Sequence, residues 1–486
     1  MNHVIGKYRK QVEIISLEEL VEADSAVRQI DEIVNLTDTS YFEKSEVKHT
    51  GRPPYNPKDM LKLYIYGMDN GIVSSRKLER ECKRNIEVKW LINGLAPESS
   101  TICAFRQENA ENLIKFFNEF SRKLAKDGYI DGKIVAIDGT KIRANNSKRN
   151  NFSASKLDRH IEYIEEKVAE YLNEVDKNDK IEALEERKEK YKLFKKRIEN
   201  GEVTEVSTTD ADSRLMKQGN NGVDVSYNVQ AAIDSKNKLI VGVMVMNEAN
   251  DQGQLSKLAK AVKSNLMLEK MIVPADKGYH DTEDLKECHE NGITTIVAIP
   301  EGKCPKGIYS KEEFQYNKEN DYYICPNGCI LNFAYECERG FLRYRNYKAC
   351  KSCKLKKLCT KSNRREIARH KYAEHAERND RAFKENQDIY KLRQLLCEHP
   401  FGTVKRTMGI RQFLTRGLRN VNAEAALIFL TYNLKRLRNI HKNDNQKDEQ
   451  ACALSVFLVI VYVLERFVNL RRKFKKYLKF MPFPAV

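Results

Sequence analysis

The stretch KIVAIDGTKI, residues 133–142, sets four apolar residues, Ile134 to Ile137, directly before Asp138 and Gly139. A short, unbroken apolar run bounded by Asp-Gly reads as a strand buried on both faces, with the carboxylate where the run ends. Downstream the pattern repeats. SYNVQAAID (226–234) and KLIVGVMVMN (238–247) read as strands, DQGQLSKLAKAV (251–262) as a helix, KMIVPADKGYHD (270–281) as a strand closed by Asp276, TEDLKECHENG (282–292) as a helix, and ITTIVAIP (293–300) as a last strand. Strands alternating with helices predict an α/β domain built on a mixed sheet. Carboxylates at strand ends lie where ligands of such sheets collect.

Composition limits what such a domain can serve. The chain has 486 residues, 41% of them hydrophobic, with 23 Tyr and 19 Phe, enough for a real core divided among two to four domains. Its 86 Lys and Arg exceed its 69 Asp and Glu, a formal charge of +17, which points to a polyanion and favours nucleic acid over a membrane surface. No signal or lipidation pattern opens the chain. The longest apolar run, ALSVFLVIVYVL at 453–464, is short of the roughly 20 residues a spanning helix needs and reads as a core element of a soluble, cytosolic protein. Six of the 12 cysteines fall between residues 325 and 359. In a long chain without a secretory signal, that crowding points to metal rather than disulfides, and the Cys350/Cys353 pair has the CxxC spacing of a structural zinc site.

Ahead of the strands, Asn56-Pro57 opens a helix that Asn70-Gly71 stops, RKLERECKRN forms a second, and a third starts near ESSTICAFRQENAENLIKFF and runs to Gly128. The second carries Arg76, Lys77, Arg80, Lys83 and Arg84, which suits a helix-turn-helix reader of DNA and equally a solvated face of a plain bundle. Residues 155–200 place Leu157, Ile161, Ile164, Val168, Leu172 and Val175 at helical spacing, then Ile181, Leu184, Tyr191 and Ile198 after a polar turn, as in a charged antiparallel hairpin.

A third carboxylate stands out by its setting. Between Asp388 and Glu424 the only acid is Glu398, in LCEHPFGTVKR, among Lys391, Arg393, Lys405, Arg406, Arg411, Arg416 and Arg419. By itself it reads as an ion-pair partner of Arg393 or Lys405. Together with Asp138 and Asp276 it completes a set of hard oxygen ligands of the kind that holds Mg²⁺ or Mn²⁺ against a phosphodiester. Pro400 would remove a helical hydrogen bond to Leu396, so the helix either kinks there or starts near Glu398.

The segments VAIDGTKIRAN, TTDADSRLM, SYNVQAAID, MIVPADKGYHD and CEHPFGTVKRTMG, followed by FLTYNLKRL, resemble in their order the bacterial insertion-sequence transposases of the DDE class, in the subgroup with a cysteine-rich insertion before the last acid. The resemblance spans roughly residues 50 to 440. It implies an RNase H-like mixed-sheet core with Asp138, Asp276 and Glu398 as catalytic metal ligands. It also implies zinc on Cys325, Cys350, Cys353 and Cys359, with Cys329 and Cys337 as further candidates. The family's Tyr-x2-Arg-x3-Glu-x6-Lys signature is kept at Tyr390, Arg393 and Lys405, but four residues separate Arg393 from Glu398. On a helix, Gln394 and Lys405 then share the face of Glu398, and Arg393 is rotated off it. Tyr390, Arg393, Lys405 and Arg406 are the implied DNA contacts.

The implied organisation is an N-terminal segment at 1–49, a helical DNA-binding domain at 50–130, the first part of the core at 131–300 with its hairpin at 155–200, a zinc-binding insertion at 301–375, the end of the core at 376–440, and a tail of unassigned role at 441–486. The implied activity is cleavage at terminal inverted repeats and strand transfer into target DNA. The chain would work as a homodimer on double-stranded DNA, associated with the bacterial nucleoid in the cytoplasm and with no membrane partner. A nuclease on the same core and a non-catalytic, zinc-bearing DNA-binding regulator are the competing readings.

Overall fold

The computed structural model describes residues 10–12, 14–42, 53–172, 178–218, 222–300 and 307–442, so the apolar run at 453–464 lies outside the described residues. The chain opens with six helices: α1 (Ala26–Leu36), α2 (Pro57–Asp69), α3 (Ser75–Arg84), α4 (Ile86–Leu91), α5 (Ser99–Glu108) and α6 (Ala110–Lys126). Asn56 caps α2 by accepting from the Lys58 N–H, and Pro57 occupies its first turn, as the sequence predicts. Helix α1 lies in the stretch read as a separate N-terminal segment, yet it packs on α2 and α4. Val27, Ile30, Ile33 and Val34 form its buried stripe, and Lys62 of α2, itself buried, meets Asp31 at 2.6 Å. The expected single helix to Gly128 is two. Asn109 separates them, with its side-chain amide donating to the Phe105 carbonyl at 2.9 Å in competition with the helical pattern.

Strand β1 (Val135–Arg143) leads to a two-residue ribbon, β2 (Asn151–Phe152) with β3 (Val206–Ser207), which closes the root of the expected hairpin, α7 (Ala154–Tyr171) and α8 (Asn178–Glu199). After β4 (Arg214–Lys217) the sheet continues through β5 (Val223–Asp234), β6 (Ile240–Met246), helix α9 (Leu255–Asn265), β7 (Met271–Ala275), helix α10 (Thr282–Glu290) and β8 (Ile293–Val297). Across the sheet the strands run β5, β1, β7, β8, with β4 and β6 both paired to the outer side of β5. Strand β5 runs antiparallel to both β1 and β6, while β1, β7 and β8 run parallel. The mixed α/β sheet is therefore as predicted. Asp138 does not end its strand, however, because β1 continues to Arg143 along its antiparallel partner β5.

A second sheet follows, β9 (Gln315–Asn317), β10 (Tyr322–Ile324), β11 (Ile330–Cys337), β12 (Phe341–Arg345) and β13 (Glu366–His370), with short helices α11 (Tyr347–Lys351) and α12 (Lys356–Cys359) between its last strands. Its core is small: Phe314, Tyr323, Leu331, Tyr344 and Ile367. The chain then returns to the first sheet through α13 (Ala373–Glu385), which packs on β8 and α10, and α14 (Gln387–Gly402), which crosses β1 and β7. A helix over 418–442 ends the described residues. Residues 1–432 form one compact unit, and of the remainder, 433–486, only the helical stretch 433–442 is described.

Asp234, at the end of β5, is wholly buried, and its carboxylate accepts from the N–H groups of Gly132 at 2.9 Å and Lys236 at 3.0 Å. Burial pushes its carboxyl up to about 6, against the pull of those donors. The unfolded chain, with a carboxyl at about 3.9, releases that proton first. This residue's contribution to stability is therefore full below about pH 4 and falls as pH rises to about 6. Asp234→Asn is expected to flatten that part of the pH dependence of the urea midpoint. An unchanged slope would exclude Asp234 as its source.

Candidate active site

The site begins with a difference in register. Strand β1 pairs with β5 along its whole length, but meets β7 only at Ile137 opposite Ala275 and through a bridge from Ile134 to Ile272. Strand β7 stops at Ala275 because Asp276 turns the chain, its side chain accepting from the Lys277 N–H at 2.8 Å to open a 3₁₀ turn over Lys277–Tyr279. Asp138 and Asp276 are each one residue past the last parallel pair, on neighbouring strands that lie about 4.8 Å apart. Burial holds the Asp138 carboxyl above the usual range; the Arg393 guanidinium lowers it, and the charges of Asp276 and Asp251 raise it further.

Helix α14 supplies the other side. It starts at Gln387 and passes through Pro400 without ending, and the chain continues from Gly402 into a π-helical turn over Thr403–Thr407. The reading in which the helix begins near Glu398 is thus corrected. A π turn directly after Pro400 lets the backbone re-form its bonds, with the Thr403 N–H reaching the His399 and Pro400 carbonyls. Glu398 is exposed and accepts from Gln394 one turn back at 2.9 Å. It pairs with neither Arg393 nor Lys405. Arg393 instead reaches Asp138 at 3.0 Å, with its guanidinium over the Tyr390 ring, and Lys405 donates to Thr140 at 2.5 Å. Asp138 and Thr140 alternate onto one face of β1, so that face carries Arg393 and Lys405 side by side. Arg406 is exposed at the end of the π turn. The buried Cys397 thiol is raised mainly by burial and further by both Asp138 and Glu398, which sets these two acids in one neighbourhood. Among the described residues no three His, Cys, Asp or Glu side chains stand close enough to hold a metal as they are.

Sequence reasoning missed the support beneath the acids. Asn228 and Gln230, buried in β5, both donate to one oxygen of Asp251, at 2.8 and 2.7 Å. The buried Tyr279 hydroxyl donates to the Gln230 side-chain oxygen, so the turn after Asp276 is fastened to the strand beside Asp138. Lys141 approaches Asp251 at 3.5 Å. A Cβ on Gly139 would stand 2.4 Å from the Gln230 amide nitrogen and 3.0 Å from Asp251. The available signal was two amides in an otherwise apolar strand. The TTDADSRLM segment acts elsewhere: the buried Asp210 accepts from the Tyr227 hydroxyl at 2.8 Å and the Gly417 N–H at 3.1 Å, and Asp212 accepts from the Leu418 N–H at 2.7 Å, which fixes the start of the last helix.

In the second sheet, the Cys325 N–H donates to the Cys329 carbonyl at 2.9 Å, closing a turn in which Gly328 takes a φ of 73°. The Cys359 thiol is raised by burial and, after the relief Arg365 gives, by Cys350, Cys325 and Cys353; Cys329 is likewise raised by burial, then by Cys325 and Cys353. Cys359 and Cys329 thus both lie near Cys325 and Cys353, although among the described residues no three of these thiols stand at metal distance. Cys337 is apart, at the far end of the eight-residue β11, a strand about 24 Å long, where its sulfur accepts from Arg343 at 3.4 Å.

Two families match the chain. One, described as a transposase domain, covers residues 15–108, and the other, a transposase DDE domain, covers residues 324–438. Together the two matches support a DDE-class insertion-sequence transposase. The transposase is accordingly a metal-dependent enzyme that cleaves DNA and transfers strands. The first match spans α1 to α5, and the second spans β11 to β13 with the clustered cysteines and α14 with Glu398, leaving Asp138 and Asp276 between them. No curated protein matches. Among solved structures, a piggyBac transposase synaptic complex with hairpin DNA is 8% identical, with 86% of this chain and 72% of that one covered, at a TM-score of 0.29, a level of likeness that carries no weight for the fold. No helix among the described residues is long and apolar enough to cross a membrane.

Gly139→Ala is expected to leave the transposase folded but push Gln230 and Asp251 out of place, with a loss of cleavage of roughly a hundredfold, the scale of an ångström misplacement near the chemistry. Single-turnover cleavage beside a melting curve measures both. Wild-type cleavage in a stable Gly139→Ala protein would show that the amide support does not position the acids.

Proposed function

We propose that the transposase cuts DNA at the terminal inverted repeats of its element and joins the freed 3′-hydroxyl to target DNA, with Asp138, Asp276 and Glu398 as the catalytic acids of an RNase H-like core. The observation that carries this reading is the placement of Asp138 and Asp276 on adjoining parallel strands, just past their last shared pair, under the helix that bears Glu398. The strand arrangement supports the RNase H-like assignment: three antiparallel strands, β6, β5 and β1, continue into the parallel β7 and β8.

The donor set fits a hard divalent cation. Burial, and then the charges of Asp276 and Asp251, raise the proton affinity of Asp138, and the guanidinium of Arg393 supplies positive charge there. Mg²⁺ or Mn²⁺ held by Asp138 and Asp276, with Glu398 released from Gln394, would supply the charge that activates the attacking hydroxyl and stabilises the leaving oxygen. The chain's own residues do the rest. Arg393 and Lys405 line the face of β1 that carries Asp138 and can take the phosphates flanking the scissile bond, with Tyr390 under Arg393 and Arg406 further along the strand path. The exposed Arg76, Lys77 and Arg80 of α3 suit duplex DNA in a helix-turn-helix manner. A homodimer would bring two element ends together.

A structural zinc on Cys325, Cys350, Cys353 and Cys359, with Cys329 the alternative fourth thiol, is supported by Cys325 and Cys359 packing against the five-residue core of the second sheet and by the nearness of Cys350, Cys353 and Cys325 to Cys359. Cys337 is too far along β11 to join them.

A nuclease on the same core would stop after hydrolysis. With a pre-cut element end and Mg²⁺, wild-type protein is expected to join the 3′-hydroxyl to target DNA, and Asp138→Asn or Asp276→Asn to abolish joining and cutting while end binding persists. Hydrolysis without joining by the wild type would select the nuclease. Metal analysis of protein purified without chelator is expected to find one zinc per chain, lost with stability in a Cys350→Ser, Cys353→Ser double variant. A zinc-free wild type of normal stability would dismiss the zinc site.

A further inference from the structure

The hairpin α7–α8 carries a cleft that the acidic site does not use. Its volume is about 800 Å³, within the range of ligand pockets, and one wall is aromatic, with Phe152 centred 5.2 Å from Tyr191 and 6.0 Å from Phe194. Phe152 and Tyr191 belong to the hairpin core, while Phe194 is only partly buried and offers part of its ring.

Arg149, Lys156, Arg187 and Lys190 line the same cleft, against the single carboxylate of Glu186 among its lining residues. Elsewhere on the hairpin, four lysines meet carboxylates: Lys167 with Glu170 at 2.5 Å, Lys188 with Glu165 at 2.7 Å, Lys192 with Glu189 at 2.7 Å and Lys195 with Asp158 at 2.6 Å. None of the four cleft cations pairs with a carboxylate among the described residues. Lys156 donates to the carbonyls of Lys148 and Asn151 at 2.7 and 2.8 Å, and Arg187 to the Tyr191 hydroxyl at 2.8 Å, which leaves their charge uncompensated. Arg149 is exposed, and Lys190 lies over Phe194 at 5.9 Å. His160, in the same cleft, is held below its usual range by burial and then by Lys156, Arg187 and Arg159, in keeping with that excess of positive charge.

An anion with a flat apolar ring satisfies both walls, and a nucleotide is that anion. Bases of a duplex are stacked on their neighbours and cannot enter a cleft between two helices. We propose that the cleft binds one unpaired nucleotide of a DNA strand, with its phosphate among Arg149, Arg187 and Lys190 and its base against Phe194 and the edge of Phe152. This rests on the transposase reading, in which cleavage frees strand ends.

The test uses the full chain and a single-stranded DNA of about 12 nucleotides, within the span such sites cover, with 2-aminopurine at its centre, beside a duplex of the same sequence. Wild type should bind the single strand and change the probe's fluorescence. Arg149→Glu with Lys190→Glu, whose side chains hold no internal hydrogen bond, should weaken single-strand binding by about tenfold or more with a shallower salt dependence, and duplex binding by less than about threefold. Phe194→Ala should keep the salt dependence and lose the fluorescence change. Equal weakening on both DNAs, or single-strand binding at wild-type strength by the charge-reversed variant, would overturn the proposal. A wild type that cuts and binds duplex normally but leaves the probe unchanged would overturn this proposal alone, whereas failure to bind any duplex would count against the transposase reading.

Discussion

The end of one parallel strand pair governs this molecule. Because β7 stops at Ala275 while β1 runs on to Arg143, two carboxylates emerge side by side at the edge of an otherwise apolar sheet. Charges of like sign about 4 Å apart repel by roughly 4 kcal/mol at the effective dielectric near a protein surface. Such a pair persists only if something nearby supplies positive charge. Here Arg393 does so on one side and Lys141 with Lys405 stand close by, while the amides of Asn228 and Gln230 hold Asp251 behind the sheet. The arrangement is suited to gaining a divalent cation and to meeting a polyanion that arrives with one.

Much of this was legible in the residues. The strands of the first sheet follow from unbroken or alternating apolar runs, because burial on one or both faces leaves few other ways to arrange them. The helical hairpin follows from its spacing, and the three acids from their exceptional surroundings. What the sequence hid depends on partners distant along the chain. Asp138 looked terminal because the apolar run ends there, yet antiparallel pairing with β5 carries the strand five residues further to Arg143. Arg393 looked misplaced relative to Glu398, and its helical offset turns it towards Asp138, 255 positions away in the chain. Helix α1 has only a four-residue apolar stripe, and the buried Lys62 of α2 meets its partly exposed Asp31, a pair that no local pattern announces. Pro400 was read as a kink or as part of a helix's first turn near Glu398, and α14 passes through it into a π turn over Thr403–Thr407.

The two smaller units each lean on something beyond apolar burial. A core of five residues is little for five strands, and sheets of that size usually need a covalent or metal staple. The hairpin instead carries several ion pairs, none of which involves the cations lining its cleft. Both units interrupt the sequence of the first sheet or the return to it, so each can change its own surface without disturbing the register at Ile137 and Ala275.

The most direct test of the central claim, that Glu398 completes the site begun by Asp138 and Asp276, is single-turnover DNA cleavage by Glu398→Gln, taken with melting temperature and DNA affinity at fixed salt on one preparation. The substitution keeps the size of the side chain and its hydrogen bond with Gln394, and removes one negative charge from a basic surface. A stable protein that binds DNA at least as tightly as wild type and no longer cuts it is the predicted result. A destabilised protein whose folded fraction cuts at the wild-type rate would contradict the account.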